Sequence, residues 1–158
     1  MPSTAVIPTV RFKKLDPDAR LPTRATKGAA CFDLYSTETT ILKHYRPVVI
    51  VGTGIAIELP PGYVGLVCSR SGLAAKDRAF VLNAPGVIDE DYRGEIKVIL
   101  GHLPDDHAWP NMTPLSYPPG SRIAQLMILP LPQLEVVEVT EFTTMTDRAD
   151  GALGSTGI

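Results

Sequence analysis

The sequence predicts an all-β fold, a barrel or jelly roll with one short helix. Three observations carry this. Short runs alternate apolar and polar residues with a period of two, as strands with one buried face do. Fifteen prolines and thirteen glycines interrupt the 158 residues at short intervals. No long apolar pattern at helical spacing occurs between them.

The elements follow in chain order. "VIPTVRF" opens with a strand signal, and "KKLDPDARLPTRATKGAA" (Lys13–Ala30) reads as a polar connection. "CFDLYS" is an apolar strand holding one acid, Asp33. An inward carboxylate there is costly unless paired or near a metal, and an outward one is the simpler alternative. "GIAIEL" sets Ile55, Ile57 and Leu59 on one face and Ala56 and Glu58 on the other. "SGLAAKD" reads as the helix, with Ser71 capping Leu73 to Lys76. "EIKVIL" alternates Ile96, Val98 and Leu100 with Glu95 and Lys97. His102–Gly120 reads as a long loop or distorted hairpin, with Trp109 packed on a neighbouring surface. "RIAQLMIL" follows a Pro-Pro-Gly turn, and "EVVEVTEF" alternates Val137 and Val139 with Glu138 and Thr140 as a last strand. The glycine-rich end, Thr143–Ile158, reads as disordered or as a mobile segment that orders on a ligand.

Composition bounds the function. One domain is expected, with residues 1–142 as its body and 143–158 as a C-terminal segment of it. Hydrophobic content of 44% with 20% charged residues reads as globular. A net charge of −2 gives no case for a nucleic-acid binder or a polybasic membrane anchor. Cys31 and Cys68 lack metal-type spacing and read as reduced thiols. No targeting segment or bilayer-length apolar run is found, so a cytoplasmic location is expected.

Walker A, GxSxG and HExxH patterns are absent, and His44, His102 and His107 share no ligand spacing. Three stretches remain. In "SRSGLAAK", backbone amides at a strand-to-helix junction, the Ser71 hydroxyl and the Arg70 guanidinium can hold phosphate oxygens; an ordinary helix start with a surface arginine is the alternative. In "GSTGI", Gly154 allows close backbone approach, Ser155 and Thr156 add hydroxyl donors and Arg148 stands upstream; a flexible tail is the alternative. In "VIDEDYRG", one carboxylate at a strand bend can orient a water; a solvated hairpin tip with Arg93 paired to Glu90 or Asp91 is the alternative. No spacing rule ranks Asp89, Glu90 and Asp91.

Taken in order, "AACFDLYS", "SRSGLAAK", "NAPGVIDEDYRG", "GSRIAQLMI" and "RADGALGSTG" resemble the five motifs of the trimeric dUTP pyrophosphatase (dUTPase) family. The resemblance runs from about Val6 to the C-terminus. It implies a jelly-roll-like β-barrel protomer, a homotrimer with active sites at subunit interfaces, and Mg²⁺-assisted hydrolysis of dUTP to dUMP and pyrophosphate. That reaction limits uracil in DNA and supplies dUMP for thymidylate synthesis.

The resemblance also assigns roles. Asn83 and the backbone around Gly86, Val87, Ile88 and Lys97 read uracil from a hairpin, and Tyr92 packs on the deoxyribose. Asp89 holds the water that attacks the α-phosphorus. Arg70, Ser71 and Gly72 of a neighbouring chain, with Gln125, bind phosphates. Asp33 acts on Mg²⁺ through water only. Arg148, Leu153, Gly154, Ser155 and Thr156 belong to a lid over the γ-phosphate and base. Three positions depart from the usual pattern. Cys31-Phe32 stands where Gly-Tyr is common, and Ser69 replaces a proline. Leu153 replaces an aromatic, which forfeits stacking worth about 1 kcal/mol. A related deaminase acting on dCTP would instead need a glutamate to activate water at C4 of the base, and Glu95 is the residue on offer. A regulatory protein that keeps the fold without catalysis is the alternative of a different class.

Overall fold

The computed structural model describes residues 7–43, 45–103, 113–144 and 146. These contain two four-stranded antiparallel sheets, a two-stranded ribbon and one helix. The first sheet runs in the order β1 (Arg11–Lys14), β4 (Val48–Glu58), β8 (Glu95–His102), β6 (Ala79–Val81). The second runs β2 (Phe32–Tyr35), β10 (Arg122–Pro130), β5 (Tyr63–Cys68), β7 (Gly86–Ile88). The ribbon pairs β3 (Thr40–Leu42) with β9 (Leu115–Tyr117), and α1 (Ser71–Asp77) lies between β5 and β6. The fold is jelly-roll-like, as expected, with two sheets that are open, among the described residues, at β1 and β6 and at β2 and β7.

The alternation in the sequence identifies the core. Ile55, Ile57 and Leu59 from one run, and Ile96, Val98 and Leu100 from another, are all buried. All of these except Ile55 join Leu34, Val67, Ile123 and Leu126 in one hydrophobic core. Each such side chain contributes about 1.5–3 kcal/mol through burial. Ala56, on the expected polar face of β4, is buried too. β5 shows no period-two pattern, yet it is a central strand paired with both β10 and β7.

Four local expectations need correction. Of the expected first strand, residues 7–10 are not in a strand; β1 begins at Arg11 and is an edge strand among the described residues, and Val6 lies outside them. Ser71 is the first helical residue rather than the cap; Arg70 occupies the cap position without a side-chain bond. Glu135–Phe142 forms no strand: the period-two pattern is there, but among the described residues no sheet edge pairs with it. The "VIDEDYRG" stretch is not a hairpin tip. β7 pairs only with β5 and β8 only with β4 and β6, so residues 89–94 carry the chain from one sheet to the other.

Part of the expected long loop is the β9 strand, and Trp109 lies outside the described residues. Both cysteines are unbridged. Burial, and then the proximity of Cys31, push the Cys68 thiol above its ordinary value, which favours the inert reduced form. Among the described residues, no helix is long and apolar enough to cross a membrane.

Candidate active site

The crossover between the sheets builds a cleft of about 180 Å³. β7 forms one side. It is an edge strand, so the backbone groups on its outer side are free of ladder pairing. The start of β8 forms the other side, and Asp89 and Tyr92 the rim. Asn83, Gly86, Val87, Ile88, Asp89, Tyr92 and Lys97, all expected from the sequence, line this one cleft. Three further residues line it: Glu95, which the sequence offers only for the deaminase alternative, and Val67 and Ile96, which read as ordinary strand positions.

The structure ranks the three acids. Glu90 Oε2 accepts the Gly62 amide at 2.6 Å, which ties the crossover to the β4–β5 turn. Arg93 does not pair with either acid's carboxylate. Its Nη1 donates to the backbone carbonyls of Glu90 (2.6 Å) and Tyr92 (2.9 Å). Asp91 does not line the cleft. Asp89 does, it is exposed, and among the described residues its carboxylate engages no donor. Its carbonyl accepts the Tyr92 amide at 3.2 Å, closing a tight turn that sets the tyrosine beside the carboxylate. The Tyr92 hydroxyl donates to the Glu95 carbonyl at 2.8 Å.

Glu95 is not free for water activation. Its Oε1 accepts the Gly54 amide at 2.9 Å and its Oε2 faces the Lys97 ammonium at 3.7 Å. That removes the residue on which a deaminase reading rests.

A second cluster lies at the β5–α1 junction. Arg70 Nε meets Asp33 Oδ1 at 3.1 Å, and Arg70 Nη1 donates to the Arg122 carbonyl at 2.8 Å. Arg122 Nη1 meets Asp33 Oδ2 at 3.3 Å. Gln125 Nε2 donates to the Ser69 carbonyl at 2.9 Å, and Ser69 Oγ accepts the Val81 amide at 2.9 Å. Asp33 lies on the face of β2 opposite the core residue Leu34, as the outward reading expects, and is half-buried there by its two arginine partners. Ser71 and Gly72 stand exposed at the first turn of α1, and no atom would meet a Cβ at Gly72. None of Asp33, Arg70, Ser71, Gly72 or Gln125 lines the cleft formed by β7 and β8. Within one chain the expected base-and-sugar residues and the expected phosphate residues are two separate groups. Arg148, Leu153, Gly154, Ser155 and Thr156 lie outside the described residues.

Among the described residues, no group of three or more His, Cys, Asp or Glu side chains could hold a metal ion. A water-mediated contact with Mg²⁺ fits the donor set better. Each Asp33 oxygen meets one arginine and keeps a second lone pair for a water.

Comparison with known proteins bears on the whole chain. A profile of the dUTPase family matches residues 17–157. The deoxyuridine 5'-triphosphate nucleotidohydrolase of Hydrogenobaculum sp. (strain Y04AAS1) is 48% identical over 125 residues, 79% of this chain and 82% of that one. The enzyme of the same name from Corynebacterium jeikeium (strain K411) is 44% identical over 152 residues, 94% of this chain and 93% of that one. Among solved structures, a point mutant of the dUTPase of Staphylococcus bacteriophage 80alpha with dUpNHpp superposes with a TM-score of 0.81 at 30% identity, covering 95% of this chain and 99% of that one. A point mutant of the dUTPase from phage phi11 of S. aureus, whose structure details the coordination of a structural Mg(II) ion, superposes at 0.75 with 27% identity, covering 86% and 99%. Five motifs in order, the fold they build and relatives aligned over nearly their full length agree: the chain belongs to the dUTPase family.

Proposed function

We propose that this enzyme hydrolyses dUTP to dUMP and pyrophosphate, with Asp89 holding the attacking water. The observation that carries the assignment is the cleft itself: it gathers the expected base, sugar and water residues around the one carboxylate of the three acids that both lines the cleft and remains unengaged. Uracil lies along β7, where the unpaired edge backbone and the Asn83 carboxamide match its donors and acceptors. The Tyr92 ring packs on the sugar and leaves no room for a 2′-hydroxyl. The Asp89 carboxylate accepts a proton as the water oxygen bonds to the α-phosphorus, and the bond to the bridging oxygen breaks to release pyrophosphate. General-base assistance of this kind is worth about 10²–10⁴ in rate.

Arg70, Ser71, the Gly72 amide and Gln125 bind the phosphates from a neighbouring copy, since they do not reach this cleft in their own chain. Mg²⁺ on the triphosphate supplies charge neutralisation, with Asp33 contacting it through water. The family resemblance assigns Arg148, Gly154, Ser155 and Thr156 to the γ-phosphate and Leu153 to the base. A homotrimer is the assembly. It is supported by the apolar side chains that residues 131–142 leave in solvent, Val136 at 95% and Phe142 at 88% exposed among them. The product serves thymidylate synthesis, and removal of dUTP keeps uracil out of DNA; the work belongs in the cytoplasm.

The test is incubation of the full chain with Mg²⁺ and dUTP, dCTP or UTP in parallel. Pyrophosphate and dUMP are expected from dUTP, with little turnover of the other two. Ammonia release from dCTP, or no turnover of dUTP, contradicts the assignment.

A further inference from the structure

We infer that Glu95 is a positioning residue that sets how strictly the cleft excludes a ribose; this rests on the reading of Tyr92 as the wall against the sugar. The inference starts in β4. The register between β4 and β8 shifts between Gly52 and Ala56, and Gly54 sits at φ +64° inside the shift. This bulge takes the Gly54 amide off the ladder. A part-buried amide without a partner is costly. Glu95 Oε1 accepts it at 2.9 Å. The same bulge sends the Thr53 hydroxyl to the Ile96 carbonyl at 2.7 Å. Two side-chain bonds therefore fix where β8 begins.

That starting point is also what the tyrosine holds. The Glu95 carbonyl accepts the Tyr92 hydroxyl at 2.8 Å. The ring folds back over Gly94 so closely that a Cβ there would lie 2.5 Å from the hydroxyl oxygen and 2.7 Å from Cζ. The ring is thus pinned at its tip by the backbone of the residue whose carboxylate clamps the bulge. The other carboxylate oxygen faces the Lys97 ammonium at 3.7 Å, so a second cleft residue depends on the same group. Glu95 lines the cleft with both oxygens engaged in this way. Its contribution is the placement of Tyr92 and Lys97. A wall displaced by a fraction of an ångström admits a hydroxyl that a fixed wall rejects.

Gly52 offers a second handle on the same contact. A Cβ at Gly52 would sit 2.7 Å from Glu95 Oε1, whereas its φ lies outside the left-handed region, so alanine displaces the carboxylate without removing any hydrogen-bonding group.

The experiment compares kcat/KM for dUTP and UTP in the wild type and in Glu95→Ala, Glu95→Gln, Gly52→Ala and Tyr92→Ala, each checked for folding by circular dichroism. Glu95→Ala and Gly52→Ala are expected to reduce the preference for dUTP on the order of tenfold, through a gain on UTP. Glu95→Gln keeps an acceptor for the Gly54 amide and is expected to retain the preference. If Glu95→Ala does not fold, Gly52→Ala decides. A wild-type preference in folded Glu95→Ala or Gly52→Ala overturns the inference, as does a preference lost equally in Glu95→Gln. If Tyr92→Ala relaxes the preference while the Glu95 and Gly52 variants keep it, only the role of Glu95 fails. If Tyr92→Ala keeps it too, the reading of Tyr92 fails with it.

Discussion

Asp89, Glu90 and Asp91 are adjacent in sequence, but their carboxylates have different surroundings. Glu90 is bonded to the Gly62 amide at 2.6 Å, Asp91 does not line the cleft, and Asp89 lines it unengaged. Two substitutions separate a structural acid from a reacting one. Asp89→Asn is expected to keep nucleotide binding and to lose on the order of 10²–10⁴ in kcat, because an amide cannot take the water's proton. Glu90→Ala is expected to cost about 1–3 kcal/mol in urea unfolding, the penalty for a stranded amide, while kcat of the folded protein stays near wild type. Reversal of that pattern would mean that the wrong acid has been assigned. At this scale the sequence was silent without the family resemblance. What distinguishes the acids is the Gly62 amide, which reaches Glu90 only after β5 and β7 have paired. The same holds for Asp33, whose two arginine partners come from the β5–α1 junction and from β10.

The elements were more legible, and the failures have one cause. Strands whose alternation faces a core within the chain, β4, β8 and β10, are found where the pattern puts them. Glu135–Phe142 has the same alternation and no strand, because a period of two records which residues share a face and not what covers that face. β5 and β7 escape the pattern, being apolar throughout or very short, yet β7 is the edge that lines the cleft. The helix has its own device. Asp77 ends α1, where the helix dipole disfavours an acid, and the Tyr117 hydroxyl donates to it at 2.9 Å. Burial first, then this bond and the aspartate's charge, hold the Tyr117 hydroxyl protonated well above its ordinary value near 10. The sign follows from linkage. The folded state binds this proton more tightly than the unfolded state, so the stabilisation is full below pH 10 and is lost as pH rises above it. Urea midpoints between about pH 8 and 11 are expected to fall more steeply for the wild type than for Tyr117→Phe, which starts lower. Parallel curves would mean that the Tyr117–Asp77 bond does not hold the helix.

At the scale of the whole molecule, the proposed function divides one chain into two half-sites. The cleft between β7 and β8 holds the residues proposed for base, sugar and water, and the β5–α1 junction holds the arginine, the exposed helix start and the glutamine proposed for phosphate. An enzyme that needs both must bring the cleft of one copy to the junction of another, and the exposed apolar stretch 131–142 offers the surface for such an assembly. The central claim is that a working dUTP site combines Asp89 of one chain with Arg70 of its neighbour. Asp89→Asn and Arg70→Ala are each expected to be nearly inactive as pure assemblies. The direct measurement is dUTP turnover by assemblies that contain both variants, made by co-expression with distinguishable tags and verified by native mass spectrometry. Mixed assemblies are expected to recover turnover, because some sites then pair an intact Asp89 with an intact Arg70. Verified mixed assemblies as inactive as the parents would contradict the shared site.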